Sequence, residues 1–189
     1  LTAGSPDRPV AYDGLHGLSW ISQSELGWLI EHLPRDGLFV EVGTASGVTA
    51  ALIAKARPRL RILCVDSFPD HDAPGLADGE PCRIDHWRRN RRPNMHLFVG
   101  TLADLRTFGM DWYPTAILID GDHSEHAVQD DLKNALGMLV IPPGTLFIHD
   151  YDEPLLPGVR AATDRFLRDR PHWAVVDSHA TTVLLRGEP

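Results

Sequence analysis

The chain has 189 residues and a formal net charge of −8, with 43% hydrophobic and 23% charged residues. That length suits one domain with a full core, and the acidic balance argues against a nucleic-acid partner despite the basic run "WRRNRR" at 87–92. No apolar run approaches the ~20 residues of a membrane span, the first residues lack the basic and apolar regions of a secretory leader, and Cys64 and Cys82 make no disulfide framework, so a cytoplasmic protein is expected.

In chain order, residues 1–36 read as a lead-in and an N-terminal helix. "SQSELGWLIEHLP" puts Leu26, Leu29, Ile30 and Leu33 on one stripe, and Ser22 with Glu25 forms a capping box. "LFVEV" (38–42) is the first strand, and "SGVTAALIAKA" a helix after it. "LRILCVD" (60–66) is the second strand. A long segment, 68–94, follows on the substrate side; a helix is expected in it around Ile84 to Asn90. "MHLFVG" (95–100), "AILID" (116–120) and "TLFIHD" (145–150) complete a set of short apolar strands covered on both faces. "SEHAVQDDLKNALGML", with Val128, Leu132 and Leu136 on one face, and "GVRAATDRFLRD" (158–169) are helices. "HWAVVDS" and "TTVLLR" pair at the end. The alternation predicts one α/β domain over 1–189: a doubly wound, mostly parallel, Rossmann-like sheet with a C-terminal antiparallel hairpin.

In such sheets ligands bind outside the carboxyl ends of the strands. Here those ends read "EVGTASG", "VDSF", "VGTLAD", "IDGDHS" and "IHDYD", nearly all acidic or glycine-rich. Gly43 permits a tight turn out of the first strand, and Gly47 permits close packing of the next helix, whose free N–H groups suit an anionic or polar ligand. Asp66, ending the second strand, can accept bonds from both hydroxyls of a ribose or can cap a turn. The fourth strand raises a sharper question. "ILIDGDHSEH" passes from three apolar residues straight into Asp120, Gly121, Asp122 and His123.

"VEVGTASGVTAALIA", "ILCVDSF", "ILIDGDHSEHAVQDDL", "FIHDY" and "PGVRAATDRF" resemble class I S-adenosylmethionine-dependent methyltransferases, in the branch of the cephalosporin-hydroxylase-like and macrocin O-methyltransferase-like enzymes. The resemblance spans about residues 38–170 and implies a methyltransferase fold and S-adenosylmethionine as cofactor. It implies that Glu41, Gly43 and Gly47 border the methionine portion, that Asp66 holds the ribose, and that Gly100 to Leu102 lie beside adenine. Thr44, Ser67, Thr101, Leu102, Asp120 and His126 join the cofactor-facing set. Ala45 stands where many relatives carry a glycine.

Asp120 and the pair His149–Asp150 end neighbouring strands, so their side chains can converge on a divalent ion. Oxygen donors favour Mg²⁺, and the histidine also allows Mn²⁺. The resemblance implies Asp120 and Asp150 as ligands; His149 stands where relatives often carry an acid. His123 is the candidate base for deprotonating a hydroxyl, with Asp122 the second candidate, although either could serve only to cap the next helix. Asp70, His71 and Asp72 could mimic a metal site but fit turn chemistry beside Pro69. Trp87 and the arginines of 88–92 could contact an acceptor or form a solvated helix face. The expected function is O-methylation of a small molecule with a divalent ion assisting. N-methylation, or cofactor binding without turnover, would keep the same pocket. A nicotinamide-dependent dehydrogenase would share Gly43, Gly47 and Asp66 but leave "IDGDHS" and "HDY" without a role. A homo-oligomer is compatible with the chain, and the acceptor is a small molecule rather than nucleic acid or membrane.

Overall fold

The computed structural model describes residues 10–68, 83–109, 113–139 and 144–187. Among them β1 (Gly37–Val42), β2 (Leu60–Asp66), β3 (Met95–Val99), β4 (Ala116–Ile119), β5 (Thr145–Ile148), β6 (Trp173–His179) and β7 (Thr182–Gly187) form a single sheet in the order β3-β2-β1-β4-β5-β7-β6. β1 to β5 pair in parallel, and β7 enters antiparallel beside β5, with β6 outside it. The predicted doubly wound sheet with a terminal hairpin is therefore the fold. Three predicted strands are shorter than expected: β3 stops at Val99, β4 at Ile119 and β5 at Ile148, the last two leaving Asp120, His149 and Asp150 just past the pairing.

Strand alternation sends residues to two cores. Leu38, Val40, Val42, Ile117, Ile119, Leu146 and Ile148 face α4 (Leu102–Phe108), α5 (Glu125–Leu136) and α6 (Pro157–Asp169). Phe39, Ile62, Cys64, Leu118 and Phe147 face α1 (Gln23–His32), α2 (Val48–Ala56) and α3 (Arg83–Asn90). Both faces are covered, which is why these strands read as continuous apolar runs. The periodicity reading did not include α4. Its seven residues are too few for a clear stripe, yet the sequence carried a signal: Thr101 and Asp104 cap each other's backbone N–H groups.

The capping box at Ser22 is present, and Glu25 does more than complete it. Its side chain, 1% exposed, accepts bonds from the Ser22 N–H and hydroxyl, and also from the Thr181 N–H (3.1 Å), Thr181 Oγ1 (3.0 Å) and Thr182 Oγ1 (3.1 Å). One carboxyl group thus ties α1 to the β6–β7 turn. Glu25→Ala would strand the buried Thr182 hydroxyl and several half-buried donors, at a cost on the order of 3 kcal/mol. At this chain length that should lower the melting temperature by roughly 6–12 °C, measurable by calorimetry. A melting temperature within a degree of wild type would refute the tie.

Candidate functional site

The C-terminal ends of β1, β2, β4 and β5 lie side by side. Gly43 leaves β1 at φ +85°, and its N–H bonds to the Val65 carbonyl of β2 at 2.8 Å. A Cβ at this position would meet the Asp120 carbonyl oxygen at 2.0 Å, so only glycine allows the turn to pass so close to the end of β4. Asp66 grips the same turn: one oxygen accepts the Ala45 N–H at 2.8 Å and the other the Phe68 N–H at 2.7 Å. The turn-cap geometry is thus realised. Each carboxylate oxygen has a second lone pair available for a ligand hydroxyl. Ala45 takes the left-handed conformation (φ +47°) that a glycine would adopt without strain.

Glu41 points from β1 to the α2 and α3 side, 2% exposed, and accepts a bond from the Thr44 hydroxyl. Burial above all raises its carboxyl to about 8, with the negative Asp120 and Asp66 adding to the rise and the Thr44 bond opposing it. Electrostatics therefore couple Glu41 to both halves of the crevice.

The answer to "IDGDHS" lies one residue past the strand ladder. The Asp120 N–H bonds to the Val42 carbonyl, and the His149 N–H to the Ile119 carbonyl, so these two residues stand in register on one face. Asp150 should then point to the opposite face. Instead it takes φ +58°, a left-handed conformation that Asp tolerates better than most residues, and its carboxylate returns to the same spot. His149 Nδ1 lies 2.9 Å from Asp120 Oδ1 and 3.0 Å from Asp150 Oδ2. His123 Nε2 lies 3.1 Å from Asp150 Oδ2 and 3.9 Å from Asp120 Oδ1.

The charges in this cluster shift one another. Burial opposes charge on His149, but Asp120 and then Asp150 hold the ring well above its ordinary range. Burial likewise works against the Asp120 and Asp150 carboxylates, and the histidines beside them bring both below their ordinary values. The Asp120 and Asp150 carboxylates beside it bring His123 up to about 9, against partial burial. Asp120, His149 and Asp150 each offer a ligand atom within 4.8 Å of the others, a spacing that fits a divalent ion. Both ring nitrogens of buried His149 lack an aligned hydrogen-bond partner, as does His123 Nε2.

Gly158, at the start of α6, lets the helix approach this loop closely. A Cβ there would come within 2.6 Å of the His123 carbonyl and the Glu125 N–H nitrogen. Asp122 accepts the Ser124 N–H at 2.8 Å, and Ser124 in turn caps α5 through the Ala127 N–H. Asp122 is thereby held below its ordinary value and sits outside the Asp120–His149–Asp150 group.

Other predicted residues are placed differently. His126 is not drawn into the cluster; its side chain is 87% exposed and faces Asp130 one turn along α5. Leu102 is fully buried in the core, so its side chain is not free to face a ligand; Thr101 beside it caps α4. Ser67 is exposed next to Asp66. Trp87, one candidate for contact with an acceptor, is 4% exposed and packs on the Gly47 turn, because α3 buries Trp87 and Asn90 on its inner face and exposes Arg88 and Arg89. Arg88 pairs with Asp85 at 2.9 Å, the solvated-face alternative. Asp70, His71, Asp72 and Cys82 lie outside the described residues.

One residue that sequence reasoning missed is Asn90. Fully buried, it donates to the carbonyls of His16 (2.7 Å) and Ser46 (2.9 Å) and accepts the His16 N–H (2.8 Å). The Ser46 hydroxyl also bonds to the Leu18 carbonyl at 3.1 Å. The lead-in segment is thereby fastened to the glycine turn. A lone Asn in a basic run gives no sequence cue to such a role.

The methyltransferase domain family model matches residues 40–151. A search of curated proteins finds no match. Among solved structures, cofactor-bound Rv0187 from MTB aligns with a TM-score of 0.68 at 12% identity, over 88% of this chain and 81% of that one. A candidate caffeoyl-CoA O-methyltransferase from Staphylococcus aureus aligns with a TM-score of 0.68 at 9% identity, over 89% and 85%. An rRNA methylase from Streptococcus thermophilus aligns with a TM-score of 0.59 at 14% identity, over 87% and 94%. These likenesses agree on the fold, while the acceptors named for the last two differ in kind.

Proposed function

The chain belongs to the methyltransferase domain family, and from that premise we propose that it transfers a methyl group from S-adenosylmethionine to a hydroxyl oxygen of a small molecule, with a divalent ion assisting. The observation that carries this reading is the convergence of Asp120, His123, His149 and Asp150 beside the glycine turn. In this reading the donor lies across the ends of β1 and β2. Glu41 and the Gly43–Gly47 turn border its methionine portion, and Asp66 and Ser67 meet its ribose. Thr101 stands at the adenine edge.

Asp120, His149 and Asp150 would hold the ion, which when bound supplies Lewis acidity that eases loss of the acceptor's proton. His123 Nε2, oriented by Asp150, accepts that proton. The acceptor oxygen attacks the methyl carbon, and the C–S bonding pair returns to sulfur, leaving S-adenosylhomocysteine. The protein's contribution is alignment and charge at these atoms.

Isothermal calorimetry with S-adenosylhomocysteine tests the cofactor half. Wild type should bind, and Asp66→Ala should bind at least about tenfold more weakly, from lost charge-assisted bonds worth on the order of 2–4 kcal/mol. Asp66→Asn, which keeps one oxygen acceptor, should fall between them. Unchanged affinity in Asp66→Ala would remove this carboxylate from the site. No binding by wild type would end the methyl-transfer reading.

A further inference from the structure

We infer that His149 makes the ion site selective for a transition-metal ion that accepts imidazole, such as Co²⁺ or Zn²⁺, over Mg²⁺. This rests on the ion site proposed above and concerns which ion that site takes. His149 is 3% exposed, and Nδ1 lies between two carboxylate oxygens, 2.9 Å from Asp120 and 3.0 Å from Asp150. At those distances the ring is ion-paired with both acids, and a single Nδ1–H could align with one of them at most. No such bond is formed: Nδ1 is buried without an aligned hydrogen-bond partner, and Nε2 also has none. With the Asp120, His149 and Asp150 donor atoms all within 4.8 Å of one another, an entering ion that displaces the ring proton finds a ready ligand set.

The chemistry of the donors then decides the ion. Mg²⁺ is a hard cation that takes oxygen ligands in near-ideal octahedra and keeps much of its water. Imidazole nitrogen suits ions later in the first transition row, whose affinity for mixed nitrogen and oxygen sites rises toward Cu²⁺ and stays high at Zn²⁺. His149 cannot step aside to leave an all-oxygen site, because its backbone N–H is fixed to the Ile119 carbonyl at 3.1 Å and the ring is enclosed. The nitrogen therefore stays among the ligands of whatever ion enters.

The test is calorimetric titration of the metal-free full chain, saturated with S-adenosylhomocysteine, using MgCl₂ and CoCl₂ separately. Wild type should bind Co²⁺ roughly a hundredfold more tightly than Mg²⁺, and His149→Asp should narrow that ratio by roughly tenfold or more. His149→Asn reads the same ratio without adding a negative charge, and S-adenosylhomocysteine affinity reports whether each variant has folded. Cobalt's visible absorption should differ between wild type and both variants, because a nitrogen ligand is exchanged for oxygen. Equal affinities in wild type, or a ratio untouched by both variants, would overturn the selectivity while leaving the ion site standing. Binding of S-adenosylhomocysteine with neither ion bound would overturn the ion site and this inference together.

Discussion

His123→Ala is expected to lower the turnover number about 10²–10⁴-fold, the usual cost of losing a general base, while leaving S-adenosylhomocysteine affinity nearly unchanged. The reason is position: Nε2 sits 3.1 Å from Asp150 Oδ2 in the acceptor-side cluster, while the cofactor turn is held by Asp66. Turnover is read as S-adenosylhomocysteine release with a hydroxyl acceptor. Asp120 and Asp150 bring His123 up to about 9, so most rings carry a proton at neutral pH. The wild-type rate should accordingly rise with pH until the ring is deprotonated and then level off. The same shift has a stability sign. A histidine raised from 6.5 contributes stability that is fully present below pH 6.5 and is lost as pH rises through about 9. Metal-free wild type and His123→Ala should therefore differ in melting temperature at pH 6 and converge above pH 9. Asp122→Asn is the control, because an amide oxygen can still accept the Ser124 N–H. A dead Asp122→Asn beside an active His123→Ala would reverse the two roles.

Gly43→Ala should disable both halves of the site at once. Alanine at φ +85° costs about 1–2 kcal/mol from the left-handed backbone alone. The larger problem is steric: the new Cβ would stand 2.0 Å from the Asp120 carbonyl oxygen and 2.5 Å from its carbon. Backbone cannot rotate away as a side chain can, so the β1 turn and the end of β4 must separate. Asp120 carries a carboxylate of the cluster and Gly43 begins the cofactor turn. A shift of roughly 1 Å between them should cost about 10²-fold in turnover. Cofactor affinity should fall as well. Gly14→Ala isolates the backbone term, because Gly14 has φ +75° but nothing within 4 Å of a Cβ. Calorimetry and rates that place Gly43→Ala level with Gly14→Ala would show that the close approach is not needed.

Much of the molecule was legible before any coordinates. The short apolar runs specified strands covered on both faces, because alternation is lost when both sides are buried. The terminal pair, the Ser22 cap and the glycine turn were readable because each depends on residues within a few positions of one another. The sequence also placed acids and imidazoles at the ends of β4 and β5, since strand ends follow from local pattern.

Direction and distant partners were not readable in this way. Pleating alone would send His149 and Asp150 to opposite faces; one left-handed residue, Asp150, brings them together, and no periodicity encodes that angle. Trp87 turned inward because a short helix such as α3 shows its buried face only once it is docked. Glu25, which locally looked like half of a cap, reaches Thr181 and Thr182 across the fold. By itself, then, the sequence determined which chemical groups stand at the strand ends. Only the tertiary structure decided which of them meet, because contact between residues far apart in the chain depends on register, single backbone angles and helix docking, none of which a local pattern contains.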